Sequence, residues 1–217
     1  MAQSQVERER FWDGAARPDP ALGVFETLLA RGGEAVALDA HLRRLARSVG
    51  ELYGYELPPG LRERVARAAA LRIVASGDGE AALRIVALPD GAVAVERGAL
   101  LRRALPIALA PVVVAGGLGA HKWRDRRLLD ALTARAGGAT PLLLDRDGSV
   151  LEAAWASVLV ERAGELLTPC EDGRILPGTA RPPARQTRLT LADLRGADAI
   201  LVSSSLAGVV PATLRER

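Results

Sequence analysis

The stretch Leu118-Gly119-Ala120-His121-Lys122-Trp123-Arg124-Asp125-Arg126-Arg127-Leu128-Leu129-Asp130 decides how the rest of the chain is read. It places a lysine after the glycine-rich loop Gly116-Gly117-Leu118-Gly119, at the head of a predicted helix through Leu128, Leu129 and Leu132. Lys122 is the sole lysine among 29 basic residues, all the others being arginine. In so biased a composition a surface lysine is readily exchanged for arginine. A retained primary amine therefore points to chemistry that guanidinium cannot do, namely losing its proton and forming a Schiff base. The plainer reading, a solvated surface charge, stands until the neighbouring sequence is weighed.

Upstream of this stretch, Gly23 to Arg31 reads as a strand, followed by a Gly32-Gly33 turn and a second short strand through Val36 and Leu38. Asp39 is placed to cap a helix whose apolar residues Leu42, Leu45, Val49 and Leu52 recur at helical spacing and which Gly54 ends. A second helix is predicted from Leu61 to Val74. Ala81 to Leu88 and Ala92 to Glu96 suit a hairpin around Pro89-Asp90-Gly91. A strongly apolar strand, Ile107 to Val114, then leads into the lysine loop. Downstream, Pro141 to Leu144, Ala156 to Glu161, Glu165 to Thr168 and Ala199 to Ser203 read as strands, with Asp147-Gly148 and Ala163-Gly164 as turns. The pattern is α+β in two domains, 1–102 and 103–217, with Lys122 and Glu152 in the second.

Composition narrows the function. With 217 residues, 49% of them hydrophobic, the chain can bury a large core. Basic and acidic residues are interspersed, as in Arg62-Glu63-Arg64, and aromatics make up only 3%, which argues against a nucleic-acid surface. One cysteine permits no internal disulfide, and two histidines with one cysteine cannot build a clustered metal site, so no metal is expected. The segment Met1–Arg10 is too charged for a secretory core, and no apolar run reaches the ~18 residues of a membrane span. A cytoplasmic protein without a membrane segment is the expectation.

Other stretches give Lys122 its context. In order they are Gly23-Val24-Phe25-Glu26-Thr27, His41-Leu42-Arg43-Arg44-Leu45, Glu152-Ala153-Ala154-Trp155-Ala156-Ser157-Val158, and Thr168-Pro169 with Ile175-Leu176-Pro177-Gly178-Thr179-Ala180-Arg181. The run Ser203-Ser204-Ser205-Leu206-Ala207-Gly208-Val209-Val210-Pro211 closes the series. Together with the lysine segment they resemble the fold-type IV pyridoxal-phosphate enzymes, the family of class IV aminotransferases and aminodeoxychorismate lyases. The resemblance spans about Gly23 to Pro211. It implies a D-amino acid aminotransferase-like fold, with a small α/β N-terminal domain and a larger β-rich C-terminal one, assembled as a homodimer.

The resemblance implies pyridoxal 5'-phosphate as cofactor, Lys122 as the Schiff-base lysine and general base, and Glu152 as partner of the pyridine nitrogen. A carboxylate there favours the protonated ring, which is what makes it an electron sink. Arg44 matches the phosphate-binding arginine, while the turn Gly178, Thr179 and Ala180 would offer backbone N–H groups at a helix start. Ser205, or Ser204, would add a hydroxyl. Phe25-Glu26-Thr27 is similar to the lyases of the family, where the threonine hydroxyl assists proton transfer. Arg126 and Arg127 suit a dicarboxylate amino substrate such as 4-amino-4-deoxychorismate, or are solvated helix charges. Elimination of pyruvate to leave 4-aminobenzoate, a folate precursor, is thus the expected reaction. A class IV aminotransferase of the branched-chain or D-amino acid type is the alternative. A non-catalytic member is a further one, suggested by the short segment Pro182 to Thr190, where the family carries a longer helix.

Overall fold

The protein is described by a computed structural model over residues 17–71 and 79–215. Met1–Arg10 and the expected helix end at Val74 lie outside the described residues. Contacts divide the chain into two units. The first is Pro18–Arg102 with His121–Asp125; the second is Arg103–Ala120 and the chain from Arg126 onward, to which Arg17 also belongs.

The first unit is a four-stranded antiparallel sheet of β1 (Val24–Arg31), β2 (Glu34–Ala35), β3 (Glu80–Ala87) and β4 (Val93–Gly98), in the order β2-β1-β3-β4. Side chains alternate across a strand. Val24, Leu28 and Ala30 of β1 accordingly join Leu83 and Ile85 of β3 in a core closed by Leu45 and Val49 of α1 (Leu38–Tyr53) and by Leu61 and Val65 of α2 (Leu61–Ala70). Phe25 and Thr27 take the opposite face, with Thr27 facing Arg84 across the strand pair.

Asp39 is not the cap of α1. The N-cap is Ala37, in left-handed conformation with φ 54°, and no side chain among the described residues caps the end. The Val36 N–H still bonds the Leu29 carbonyl at 2.8 Å, so the chain turns at Ala37 and Leu38 is already helical. Asp39 lies in the first turn, where its charge favours the helix dipole and pairs with Arg62.

The second unit holds an eight-stranded sheet in the order β10-β9-β8-β11-β12-β5-β6-β7. Its strands are β5 (Ile107–Val113), β6 (Thr140–Leu144), β7 (Val150–Ala153), β8 (Ser157–Arg162), β9 (Glu165–Thr168), β10 (Arg185–Gln186), β11 (Ala199–Ser204) and β12 (Gly208–Leu214). Helices α3 (Arg127–Arg135) and α4 (Leu191–Arg195) belong to this unit, and a Thr190–Asp193 capping box starts α4. The α+β class and the β-rich second unit agree with expectation. β7, β10 and β12 were not anticipated. β12 contains Gly208 and Pro211, residue types that favour turns, but its ladder to β5 begins only at Ala212. Pro211 therefore sits where the sheet asks no N–H of it on that side.

The lysine segment also departs from expectation. α3 begins at Arg127, so Lys122 precedes the helix and lies in extended chain. Val24 and Trp123 form a β-bridge, the Phe25 N–H donates to the Lys122 carbonyl at 2.9 Å, and the Arg124 N–H donates to Gly23 at 3.0 Å. These bonds attach His121–Asp125 to the first unit, although the sequence order assigns the lysine to the second domain.

Candidate active site

In the first unit, β1 carries Glu26 in the row that otherwise faces the core. The carboxylate is 1% exposed and lies against His41, fully buried, and Arg44, 8% exposed, both on α1. Residues three apart share a helix face, so His41 and Arg44 reach the same group. Arg44 donates from Nε to Glu26 Oε1 and from Nη2 to Oε2, each at 2.7 Å, and His41 Nδ1 lies 2.7 Å from Oε2. Burial pushes the Glu26 carboxyl up, but the hydrogen bonds of His41 and Arg44 and the charges of Arg44 and Lys122 outweigh it, holding the pKa at about 2. An ionised carboxylate can only accept, so His41 Nδ1 carries the proton.

On the other face of the same sheet, the Lys122 ammonium lies 5.1 Å from the centroid of the Phe25 ring, and the Arg84 guanidinium lies 4.2 Å from it. Arg84 Nε is buried with no hydrogen-bond partner among the described residues. Arg84 also lines a recess of about 390 Å³ with Leu22, Val86, Glu96 and Arg124. An amine, a hydroxyl on Thr27 and an incompletely satisfied cation thus share one sheet face. Behind the lysine, His121 Nδ1 bonds Ser48 at 3.0 Å and the imidazole packs edge-on against Trp123.

The second unit gathers the remaining expected residues. Glu152, on β7, accepts a long 3.4 Å bond from the Leu176 N–H, next to the loop of Pro177, Gly178, Thr179 and Ala180. Ser203 donates to the Ala180 carbonyl at 2.8 Å and Thr179 Oγ1 lies 3.0 Å from Ser205 Oγ, so β11 and its turn are tied to that loop. A Cβ on Gly178 would stand 2.6 Å from Ser157 Oγ, which only glycine avoids. No helix starts at this loop: residues 177–184 are irregular and lead into β10, because Pro182 and Pro183 interrupt the chain there. Any donors it offers are loop N–H groups, without a helix dipole behind them. Ser204 Oγ accepts from the Ala207 N–H at 3.2 Å within its own turn.

Arg126 donates to the Ala154 carbonyl at 2.8 Å and Arg127 is exposed at the first turn of α3. The lysine loop is braced from below. The Gly116 N–H donates to Asp145 at 2.9 Å, Arg174 bridges Asp145 and Asp172, and Arg17 donates to the Ala115 and Gly117 carbonyls. Gly117, at φ 64°, packs so closely on the Arg174 carbonyl that a Cβ would lie 2.0 Å from its oxygen. Among the described residues no cluster of three His, Cys, Asp or Glu could hold a metal ion, and no helix is long and apolar enough to cross a membrane.

The order of these segments has a counterpart among known proteins: the family described as amino-transferase class IV matches residues 23–102 and 124–214. The chain belongs to the class IV aminotransferase family. It is accordingly a pyridoxal-phosphate-dependent enzyme, an aminotransferase or a lyase. Solved structures agree on the fold. A hypothetical aminotransferase from Mycobacterium tuberculosis, in its apo form, superposes with a TM-score of 0.78 at 27% identity, over 90% of this chain and 82% of that one. A fold IV transaminase from Curtobacterium pusillum gives 0.75 at 24%, over 93% and 82%. A Legionella pneumophila protein provisionally assigned as 4-amino-4-deoxychorismate lyase gives 0.73 at 17%, over 94% and 90%. No curated protein matches the sequence.

Sequence reasoning saw Glu26 and His41 only as parts of quoted motifs and passed over Arg84. For Glu26 a signal existed: a carboxylate interrupts the apolar row Val24, Leu28, Ala30. For Arg84 there was none, because an arginine in an arginine-rich chain looks ordinary until its stacking on Phe25 is known.

Proposed function

We propose that this enzyme is a 4-amino-4-deoxychorismate lyase, releasing pyruvate and leaving 4-aminobenzoate. The observation that carries the reading is the grouping around Phe25: the Lys122 amine and the Arg84 cation against its ring, and Thr27 next along the same strand face. The residues also fit the cofactor. The Thr179 and Ser205 hydroxyls meet beside the loop of Gly178 and Ala180, and Arg44 is a buried cation suited to a phosphate.

When bound, pyridoxal phosphate supplies an aldehyde that captures the substrate amine and a ring that accepts the electron pair set free at the adjacent carbon. In this reading Lys122 anchors the cofactor, then takes the proton from the carbon bearing the substrate nitrogen. Glu152 holds a proton on the pyridine nitrogen by its negative charge. Arg44, the Gly178-Thr179-Ala180 loop and Ser205, with Ser204 second to it, hold the phosphate. Thr27 passes a proton to the departing enolpyruvyl group, which becomes pyruvate. Arg84, with Arg124 at the rim of the recess, provides the donors that carboxylates require; Arg126 and Arg127 are the other cations suited to that task. A homodimer in the cytoplasm, making a folate precursor, completes the proposal.

An amino-acid aminotransferase is the second reading, favoured by the Mycobacterium tuberculosis neighbour at 27% identity. One assay separates them: 4-aminobenzoate and pyruvate formed from aminodeoxychorismate, measured beside amino-group transfer to keto acids. Production of 4-aminobenzoate is expected; its absence with brisk transfer overturns the lyase. A protein that stays colourless with added cofactor overturns both.

A further inference from the structure

The lysine segment is attached to the first unit by backbone at one end and by a side chain at the other. From Lys122 onward it pairs with β1, through the Val24–Trp123 bridge and the bonds of the Phe25 and Arg124 N–H groups. At its start, just after the glycine-rich loop, His121 Nδ1 lies 3.0 Å from Ser48 Oγ. Ser48 is 2% exposed and belongs to the buried face of α1, with Leu45 and Val49. A hydroxyl in such a place is costly unless it is bonded, and an apolar residue would fill the core without that cost. His121 Nε2 lies 3.6 Å from a Glu51 carboxylate oxygen. A carboxylate only accepts, so it favours the proton on Nε2 and leaves Nδ1 to accept from the Ser48 hydroxyl. Burial lowers the pKa of the imidazole, which keeps this anchor uncharged at neutral pH.

Side chains of an extended segment alternate between its two faces. His121 and Trp123 share one face: their rings meet edge-on at 5.3 Å, and Trp123 packs against the core of the first unit. Lys122 takes the other face, where its ammonium lies 5.1 Å from the Phe25 ring. Holding His121 against α1 thus sets the direction of the residue that follows it. We propose that His121, held by Ser48, is a positioning residue that keeps the Lys122 amine on the Phe25 face for capture of the cofactor's aldehyde. The inference rests on the role proposed above for Lys122 and on contacts within the first unit alone. In that capture the amine nitrogen forms a double bond to the aldehyde carbon and one water leaves. An amine that wanders must be ordered before it reacts, so loss of the anchor weakens capture and spares the contacts made by phosphate and ring.

The experiment compares the affinity of the apo protein for pyridoxal phosphate with its affinity for pyridoxamine phosphate, both by calorimetry. The second compound carries an amine in place of the aldehyde, so Lys122 cannot capture it. Wild type, His121→Leu, His121→Asn, Ser48→Ala and the double variant His121→Leu with Ser48→Ala are titrated, and apo melting is followed in parallel. His121→Leu is expected to weaken pyridoxal phosphate roughly 3- to 10-fold, the worth of one hydrogen bond, with pyridoxamine phosphate unchanged. Ser48→Ala should match it, and the double variant should add no further loss. His121→Asn, whose amide oxygen can accept from Ser48 as Nδ1 does, should recover most of the affinity. Equal losses for the two compounds overturn the inference, as does unchanged capture in His121→Leu. Asn no better than Leu, or losses that multiply in the double variant, overturn it as well. Should His121→Leu fail to fold, Ser48→Ala decides on the same comparison. Wild-type protein that forms no borohydride-reducible adduct on Lys122 would defeat the proposed function and this inference with it, and is seen before any variant is made.

Discussion

The two units build their polar machinery by opposite means. In the first, ions are buried on regular elements: Glu26 on β1 and His41 and Arg44 on α1, all under 9% exposed. In the second, the polar groups are loop N–H groups and hydroxyls of Thr179, Ser203 and Ser205, held by single bonds of 2.8 to 3.0 Å between irregular segments. Buried ions are costly to desolvate and tolerate one geometry, so they suit a group whose direction matters. Loop donors are cheaper and more forgiving, and a phosphate with several acceptor oxygens accepts donors from several directions. The difference teaches that the first unit fixes the direction of one buried cation, Arg44, by ions on regular elements, whereas the second leaves its hydroxyls on segments held by single bonds.

Replacing Lys122 tests the reacting end most severely. Lys122→Ala should lower turnover by about 10⁴-fold, and borohydride treatment should leave no cofactor adduct on any side chain by mass spectrometry, since no second lysine exists. An adduct on another side chain would remove the assignment. Glu152→Gln is next: turnover should fall by roughly 10² to 10³ while cofactor affinity, measured by titration, falls much less. An unaltered rate places Glu152 away from the ring nitrogen.

Thr27→Val keeps the branched shape that a strand accepts but removes the hydroxyl. Release of 4-aminobenzoate should drop about 10²-fold with the absorbance of bound cofactor intact; an unchanged rate returns the aminotransferase to first place. A smaller effect is expected in the forgiving region, where Gly178→Ala sets a Cβ against Ser157 Oγ. A loss of roughly 1 to 3 kcal/mol in stability, with weaker phosphate binding, should appear in thermal melts of the apo and loaded protein, and equal melts would mean that the loop simply moves aside.

The smallest effect is on pH dependence. The Glu26 pKa is lowered from 4.5 to about 2 on folding, so the carboxylate contributes stability that is fully present above about 4.5 and is lost as pH falls through about 2. The apo melting temperature should decline over that window, and Glu26→Gln should flatten the decline. An identical acid limb in the variant would show that other carboxylates set it.

Much of this was legible in the chain before folding. The lone lysine, the strand of Val24 to Arg31 and the helix of Leu42, Leu45 and Val49 follow from local chemistry and period, and local signals survive any tertiary arrangement. The helix cap at Ala37 was not legible, because a hydrogen bond from Val36 to Leu29, not a polar side chain, decides where α1 begins. β12 was hidden for a similar reason: Gly208 and Pro211 favour turns until β11 and β5 lie beside them.

The sequence by itself determined the family and the identities of the chemical groups, since residue types in a fixed order are a one-dimensional property. Tertiary structure alone decided their company. Lys122 leaves its predicted helix to pair with β1, Arg44 meets Glu26 across a strand and a helix, and Arg84 finds the ring of Phe25. Each is a contact between residues far apart in the chain. Spacing along a sequence carries no information about such contacts until the backbone hydrogen bonds of a sheet and the burial of a core have brought the segments together.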